Sequence, residues 1–311
     1  MERVSVTDDL LARRFTEHRA HLLGVAYRLT GTLADAEDAV QEAWLRLSGL
    51  DPAARAEIRE LRGWLTTVVS RIALDRLRSA AAQRERYVGP WLPEPVVTPL
   101  PGQPGEDPLD AVVRDDGVRL AALVVLDRLT PEQRVAFVLH DAFGLPFAEI
   151  AEVLGCEVAT ARQYASRARR AVADADPPSR QSLRDQRAVV EEFIAAVNAG
   201  DVPAVVRLLH PDVAVVGDGG GKAKTALRPL HGADKVARFL LGLVRKYGVV
   251  PHLAGRPVLV NGDIGLALPG TPGDGEHPPL TSRVTAFTVR DGRIAAIYDI
   301  ANPDKLTRVR F

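Results

Sequence analysis

Two groups of residues in this chain have the types and spacing that chemistry needs. The first is the stretch VVGDGGGK, Val215 to Lys222. Glycines expose backbone N–H groups that can wrap an anion, and a lysine would add charge. A phosphate-binding loop, however, requires G-x-x-x-x-G-K-[ST]. Here Val216 holds the first glycine position and Ala223 follows the lysine. The next residues, AKTALRPLHG, contain Pro229 and no capping signal, so no helix N-terminus is set to face a phosphate. The nucleotide reading fails, and no cofactor is expected. The second group is basic. Arg162, Arg167, Arg169 and Arg170 fall within residues 158–172 without an acid, and residues 71–86 hold five arginines against two acids. Such stripes suit phosphate backbones as well as solvated helix faces. His210, Asp212, Asp218, Tyr298 and Asp299 could act as acids and bases, but spacing does not show whether they converge and surface turns explain His210-Pro211-Asp212 equally well, so no catalytic residue is assigned. The single cysteine, Cys156, excludes an intrachain disulfide and a cysteine-built zinc site, and no metal is expected.

These residues need elements to hold them. The 311 residues allow two or three domains, and the net charge is zero. The longest apolar run, Leu120 to Leu126, is far too short to span a membrane. The N-terminus lacks the apolar core of a signal peptide. A cytoplasmic protein is expected. Residues 10–47 read as helix, with Leu10, Phe15, His18, Leu22, Val25, Ala26 and Leu29 at helical spacing; Gly31 stops the first helix and Thr32 caps the next. A third helix runs from Trp64 to about Ala82. Residues 87–110 hold seven prolines in 24 positions, which forbids regular helix or central strand and predicts an extended connector.

Beyond the connector, Thr130-Pro131-Glu132-Gln133 forms a capping box with proline at N1. Val135, Val138, Leu139, Ala142 and Phe143 should face inward. Gly144 and Gly155 end two helices, and Val158 to Val172 forms a third, burying Val158, Ala161, Ala165, Ala168 and Val172. Helix, glycine turn and basic helix make a helix-turn-helix pattern. After Pro177-Pro178 come a helix at 184–199, a short helix from Pro203 to Leu209 and five strand-like runs, with Arg290-Asp291-Gly292 as a hairpin signal. Helices followed by a mostly antiparallel sheet define an α+β domain.

AYRLTGTLADAEDAVQEAWLRL (26–47) with WLTTVVSRIALDRLRS (64–79) resembles domain 2 of a bacterial sigma factor of the extracytoplasmic-function type. LDRLTPEQRVAFVLHDAFGLPFAEIAEVLGCEVATARQYASRARRAV (126–172) resembles domain 4. The C-terminal third is similar to the SnoaL-like branch of the cone-shaped α+β barrels that include ketosteroid isomerases. Three further motifs resemble those of the sigma-factor group with a fused SnoaL-like domain: Trp91-Leu92-Pro93-Glu94-Pro95, Asp218-Gly219-Gly220-Gly221-Lys222 and Asn302-Pro303-Asp304-Lys305-Leu306.

The resemblance implies a multidomain fold: sigma domain 2 at 1–86, a connector at 87–126, sigma domain 4 with a helix-turn-helix at 127–174, and a SnoaL-like barrel at 175–311. It implies core RNA polymerase and promoter DNA as partners, no membrane, and a small molecule as candidate ligand of the C-terminal pocket. Asp35, Glu37, Asp38, Gln41 and Glu42 would dock on polymerase. Arg71, Asp75, Arg76 and Arg78 would serve the −10 element, although Arg71 stands where the family pattern has asparagine. Thr160, Arg162, Gln163, Ser166, Arg167, Arg169 and Arg170 would serve the −35 element, the early positions meeting bases and the later ones phosphates. The three motifs would join the C-terminal domain to the connector and set the spacing of domains 2 and 4. The alternative is a DNA-binding regulator with a ligand-sensing or isomerase- or hydrolase-like C-terminal domain.

Overall fold

The computed structural model describes residues 2–84, 86–101, 119–175, 181–248 and 255–311. The expected Pro177-Pro178 break and the connector beyond residue 101 up to 118 lie outside the described residues. Contacts divide the chain into two compact units. Of the described residues, 2–83 and 122–175 form the first; 84, 86–101, 119–121 and 181–311 form the second. The described proline-rich residues 86–101 thus group with the C-terminal residues, whereas 122–126, also expected in the connector, group with the helical regions.

In the first unit, helix α1 (Glu2–Thr30) ends at Gly31, and α2 (Leu33–Ser48) is capped by Thr32, whose side chain accepts from the Asp35 N–H. A short α3 (Pro52–Ala56) precedes α4 (Leu61–Arg84). Leu22, Val25, Ala26, Leu29, Val40 and Ala43 are buried, as are Leu65, Val69, Ile72 and Leu77 of α4. Leu10, expected inside, is 59% exposed. Helix α5 (Leu120–Leu126), whose first two residues group with the second unit, is followed by α6 (Pro131–Phe137), which opens on the expected Thr130–Gln133 capping box. A π turn, Val138–Ala142, then adds a residue to the helix. That insertion rotates the C-terminal end of the helix, so Ala142 is exposed rather than inward. Helix α7 (Phe147–Leu154) ends on left-handed Gly155 (φ 64°), and α8 (Val158–Asp174) comes next. Ala161, Ala165 and Ala168 are fully buried, their small side chains bringing α8 close to its neighbours; Val158 and Val172 are only half-buried.

The second unit packs α9 (Leu183–Ala199), α10 (Val202–Leu208) and α11 (Ala233–Tyr247) against a seven-stranded sheet. Its strands are β1 (Val97–Thr98), β2 (Leu209–Asp218), β3 (Leu230–His231), β4 (Arg256–Val260), β5 (Asp263–Leu268), β6 (Arg283–Arg290) and β7 (Arg293–Ile300). Their order is β1-β4-β5-β6-β7-β2-β3, antiparallel except for β2 beside β7. The expected closed barrel is not formed: two-residue strands β1 and β3 stand at opposite edges, and Val190, Phe193, Val205 and Val236 of the helices fill the core with Val213, Phe287 and Ile297 of the sheet. Asp291-Gly292 (φ 49° and 69°) makes the expected hairpin, and Asn261-Gly262 (φ 52° and 83°) makes a second. These positive φ values match the twist of paired strands.

Candidate nucleic-acid interface and connector dock

The acidic face of α2 is partly engaged within the chain. Arg76 Nη1 lies 3.1 Å from Asp35 Oδ1 and 3.4 Å from Asp38 Oδ2. Glu42 pairs with Arg46 at 2.6 Å, Gln41 is exposed and Glu37 is half-buried. Arg76 therefore braces α2 against α4. The other two α4 arginines reach the later helices: Arg71 Nη2 donates to the Glu152 carbonyl (3.0 Å), and Arg78 donates through Nε and Nη2 to Glu132 Oε1 (3.2 and 3.1 Å). Asp75 Oδ1 stands 3.9 Å from Arg78. The sequence reading missed Arg134. It is 1% exposed, and its guanidinium donates to the Arg28 carbonyl of α1 (3.0 Å) and to Asp127 (3.3 Å). An arginine on the inward side of an amphipathic helix was the available signal.

On α8, Arg162, Gln163, Arg167 and Arg170 are exposed, while Thr160 and Ser166 are half-buried. The Arg162 guanidinium lies 5.7 Å from the Phe147 ring centre. Arg169 differs: its Nε is held by Asp141 at 2.8 Å. Glu157 occupies the N-cap without a side-chain cap. Cys156 is half-buried, and burial pushes its thiol pKa up, which lowers the thiolate fraction.

The three motifs meet in the second unit, around a single carboxylate. Asp218 ends β2 and is fully buried. Its Oδ2 accepts from the Leu92 N–H (2.8 Å) and from Lys305 Nζ (2.7 Å). Its Oδ1 accepts from the Tyr87 hydroxyl (2.6 Å) and the Gly220 N–H (3.1 Å). Lys305 also donates to the Leu92 carbonyl and sits 4.0 Å from the Trp91 ring centre. Asn302 Nδ2 donates to the Tyr87 oxygen at 2.8 Å. Burial, then the bond to Asp218, drives the Tyr87 pKa above its ordinary value, keeping the phenol a donor. Pro93, Glu94 and Pro95 are buried, and Leu306 packs inside. Gly220 (φ 56°) is required: a Cβ there would collide with the Asn302 amide. A side chain on Gly219 would meet the Ala223 carbonyl, and one on Gly221 would press on Val88. Lys222, by contrast, pairs with Asp304 (2.6 Å) near the surface, the two side chains 56% and 62% exposed; Pro303 begins the 3-10 turn Pro303–Lys305 that carries Asp304. Farther along the connector, the Val96 N–H donates to Asn261 Oδ1 (3.1 Å), and Val97-Thr98 pairs with β4. Just past the undescribed stretch, Arg119 Nε bonds Asp263 Oδ2 at 2.7 Å. The hairpin turn between β4 and β5 thus holds chain on both sides of that stretch.

The acid–base candidates do not converge. His210 and Asp212 sit together near the start of β2, Asp218 belongs to the dock, and Tyr298 alternates with Asp299 along β7. Only Asp299 lines a cavity of about 400 Å³ between the helices and the sheet. There it pairs with Arg283 Nη1 at 2.9 Å. Among the described residues no group of three His, Cys, Asp or Glu could hold a metal, and no helix is long and apolar enough to cross a membrane.

Two packed helical regions, the second a helix-turn-helix, followed by an α+β domain, define a sigma-type transcription factor with an appended domain. Sigma-70 region 2 matches residues 14–83, sigma-70 region 4 matches 119–172, and the SnoaL-like domain matches 190–297. The chain is 54% identical to the ECF RNA polymerase sigma factor SigJ of Mycobacterium tuberculosis over 94% of its length and 92% of that protein's. It is 33% identical to the probable ECF RNA polymerase sigma factor SigI of the same species over 97% of both chains. The crystal structure of M. tuberculosis SigJ superposes with a TM-score of 0.79 at 53% identity, covering 95% of this chain and 98% of that one. The chain belongs to the ECF RNA polymerase sigma factors, as a member with a fused C-terminal SnoaL-like domain, and directs promoter-specific initiation of transcription.

Proposed function

We propose that the SnoaL-like domain controls the sigma regions in cis by holding the connector. The observation that carries this reading is the buried Asp218 carboxylate, which accepts from Leu92 and Tyr87 of the connector as well as from Lys305. A connector fixed at Tyr87–Thr98 and again at Arg119 limits how far the two sigma regions separate, and hence how they reach two promoter elements together. The binding roles follow the surface chemistry. Asp35, Glu37, Asp38, Gln41 and Glu42 dock on core RNA polymerase. Arg71, Asp75 and Arg78 serve the −10 element once released from Glu152 and Glu132, and Arg76 positions α2 from behind. On α8, Arg162 and Gln163 read base edges, and Arg167 and Arg170 meet phosphates with Thr160, Ser166 and Arg169 beside them. The C-terminal domain works without turnover, since its acid–base groups are spent on separate tasks.

The test is run-off transcription with bacterial core polymerase on a promoter library, using the full chain and Asp218→Ala. Promoter-specific transcripts whose yield or promoter preference changes in Asp218→Ala support control in cis. Transcripts identical in both proteins, with Asp218→Ala shown to be folded, refute that control while leaving the sigma activity intact.

A further inference from the structure

The cavity of the second unit has a polarity pattern that specifies a ligand. Its walls are mostly apolar, with Phe193 from α9, Phe239 and Leu240 from α11, and Leu266, Phe287 and Ile297 from the sheet; Asn198, Thr225 and Thr285 add uncharged polar atoms. Its volume of about 400 Å³ is in the range that encloses most of a drug-sized molecule. Four charged residues line it: Lys224, Lys246, Arg283 and Asp299. They fall into two sets. Arg283 and Asp299 are largely buried and bonded to each other, so the interior carries no net charge. The Arg283 guanidinium is further occupied by the Thr281 and Lys224 carbonyls.

Lys224 and Lys246 form the other set. Both line the cavity and both are exposed, so their charges stay solvated and reachable by a ligand that enters from solvent. Neither has a carboxylate partner among the described residues; Lys246 Nζ lies only over the Tyr247 ring at 5.2 Å. A mostly apolar interior without net charge, lined also by two exposed cations that no described carboxylate neutralises, is complementary to an amphiphilic anion.

We infer that the cavity binds an organic acid with an apolar body, the hydrocarbon lying between α9, α11 and the sheet and the carboxylate meeting Lys224 and Lys246. A neutral apolar molecule would leave both lysines unused, and a small polar anion would leave the apolar walls unfilled. This site stands apart from control in cis. It concerns the occupant of the cavity, and its test needs neither polymerase nor promoter.

The probes are dodecanoate, dodecanol and hexanoate, each titrated by calorimetry into the full chain at low salt and below micellar concentration. Saturable one-site binding of dodecanoate is expected. Hexanoate should bind roughly a thousandfold or more weakly, because it lacks six of the methylenes that dodecanoate buries. Dodecanol should bind roughly two- to thirtyfold more weakly than dodecanoate, since each of the two solvent-exposed ion pairs is worth about 1.4- to fivefold. In the surface variant Lys224→Gln/Lys246→Gln, dodecanoate should fall to the level of dodecanol while dodecanol itself is unchanged. The absence of saturable dodecanoate binding would overturn the proposal. So would equal affinity for dodecanol in the unmodified chain, or an acid preference that survives in the double variant.

Discussion

Replacing Lys305 by methionine separates the two lysines of the connector dock, which sequence alone presents as equals. Lys305 is 8% exposed and its partner Asp218 is fully buried. Removing one member of a buried ion pair typically costs about 3–5 kcal/mol, because the remaining charge stays buried. The lower end applies here: Asp218 keeps three donors, from Tyr87, Leu92 and Gly220, that still solvate the carboxylate. A loss of about 3 kcal/mol is a roughly 150-fold shift of the docking equilibrium. Lys222, paired at the surface with Asp304, should contribute only about 0.2–1 kcal/mol, at most a roughly fivefold shift. Arg86 is exposed at the entry to the docked segment, so tryptic cleavage after Arg86 in the native full chain reads the undocked population. Cleavage should accelerate about two orders of magnitude in Lys305→Met and barely in Lys222→Met. Equal, small effects in both variants would refute the claim that the buried charge pair holds the connector.

Three further outcomes are set by the same geometry. Tyr87 ionises above its ordinary pKa of about 10 when docked, so docking binds an extra proton above that pH; its contribution is complete below pH ~10 and is lost as pH rises towards the raised value. In a spectrophotometric titration, Tyr87→Phe should remove one late-ionising phenol from the curve of the unmodified chain. Gly220→Ala places a side chain at φ 56° against the Asn302 amide; a strained backbone of this kind costs about 1–3 kcal/mol, and cleavage after Arg86 should accelerate at least several-fold. Arg134→Leu strips the Arg28 carbonyl and Asp127 of their shared guanidinium, which should cost about 3 kcal/mol and, by calorimetry, lower the melting of the helical unit by roughly 6–12 °C.

Local rules made the helical regions readable. Thr32, the Thr130–Gln133 box and Gly155 act within a few residues of themselves, and each stands where its chemistry predicts. The misreadings arise where a distant or silent feature decides. The π turn at Val138–Ala142 has no side-chain signature, and it alone turns Ala142 outward. Helix α11 begins at Gly232 without a side-chain cap, so no start signal marked it. The sheet was expected to close because the family resemblance implied a barrel; the pairing that leaves two short edges is a tertiary outcome. The sequence also could not rank Lys222 against Lys305. Parallel pairing of β2 with β7 sets Asp218 opposite Ile300, and that register carries the following Asn302 and Lys305 onto the carboxylate. Lys222, four residues beyond Asp218 on its own turn, is carried to the surface instead.

The connector shows how composition and register combine. Proline has no N–H, so a segment with prolines at 90, 93 and 95 cannot join a sheet through a continuous ladder. Two of the amide donors left among them, those of Leu92 and Val96, are both buried, and a buried donor needs an acceptor. Each finds a side chain of the C-terminal residues: Asp218 for Leu92 and Asn261 for Val96. Only at Val97-Thr98, past that run of prolines, does backbone pairing with β4 begin. A proline-rich segment is thereby anchored by side-chain acceptors, with the Val96 carbonyl accepting from the Asn261 N–H, before the ladder takes over. Weakening one acceptor, as Lys305→Met or Gly220→Ala would do indirectly, should release the Tyr87–Leu92 portion while Val97-Thr98 stays paired. The dock is therefore graded along its length, and its Tyr87 end, next in sequence to helix α4, is the part a change at Asp218 reaches first.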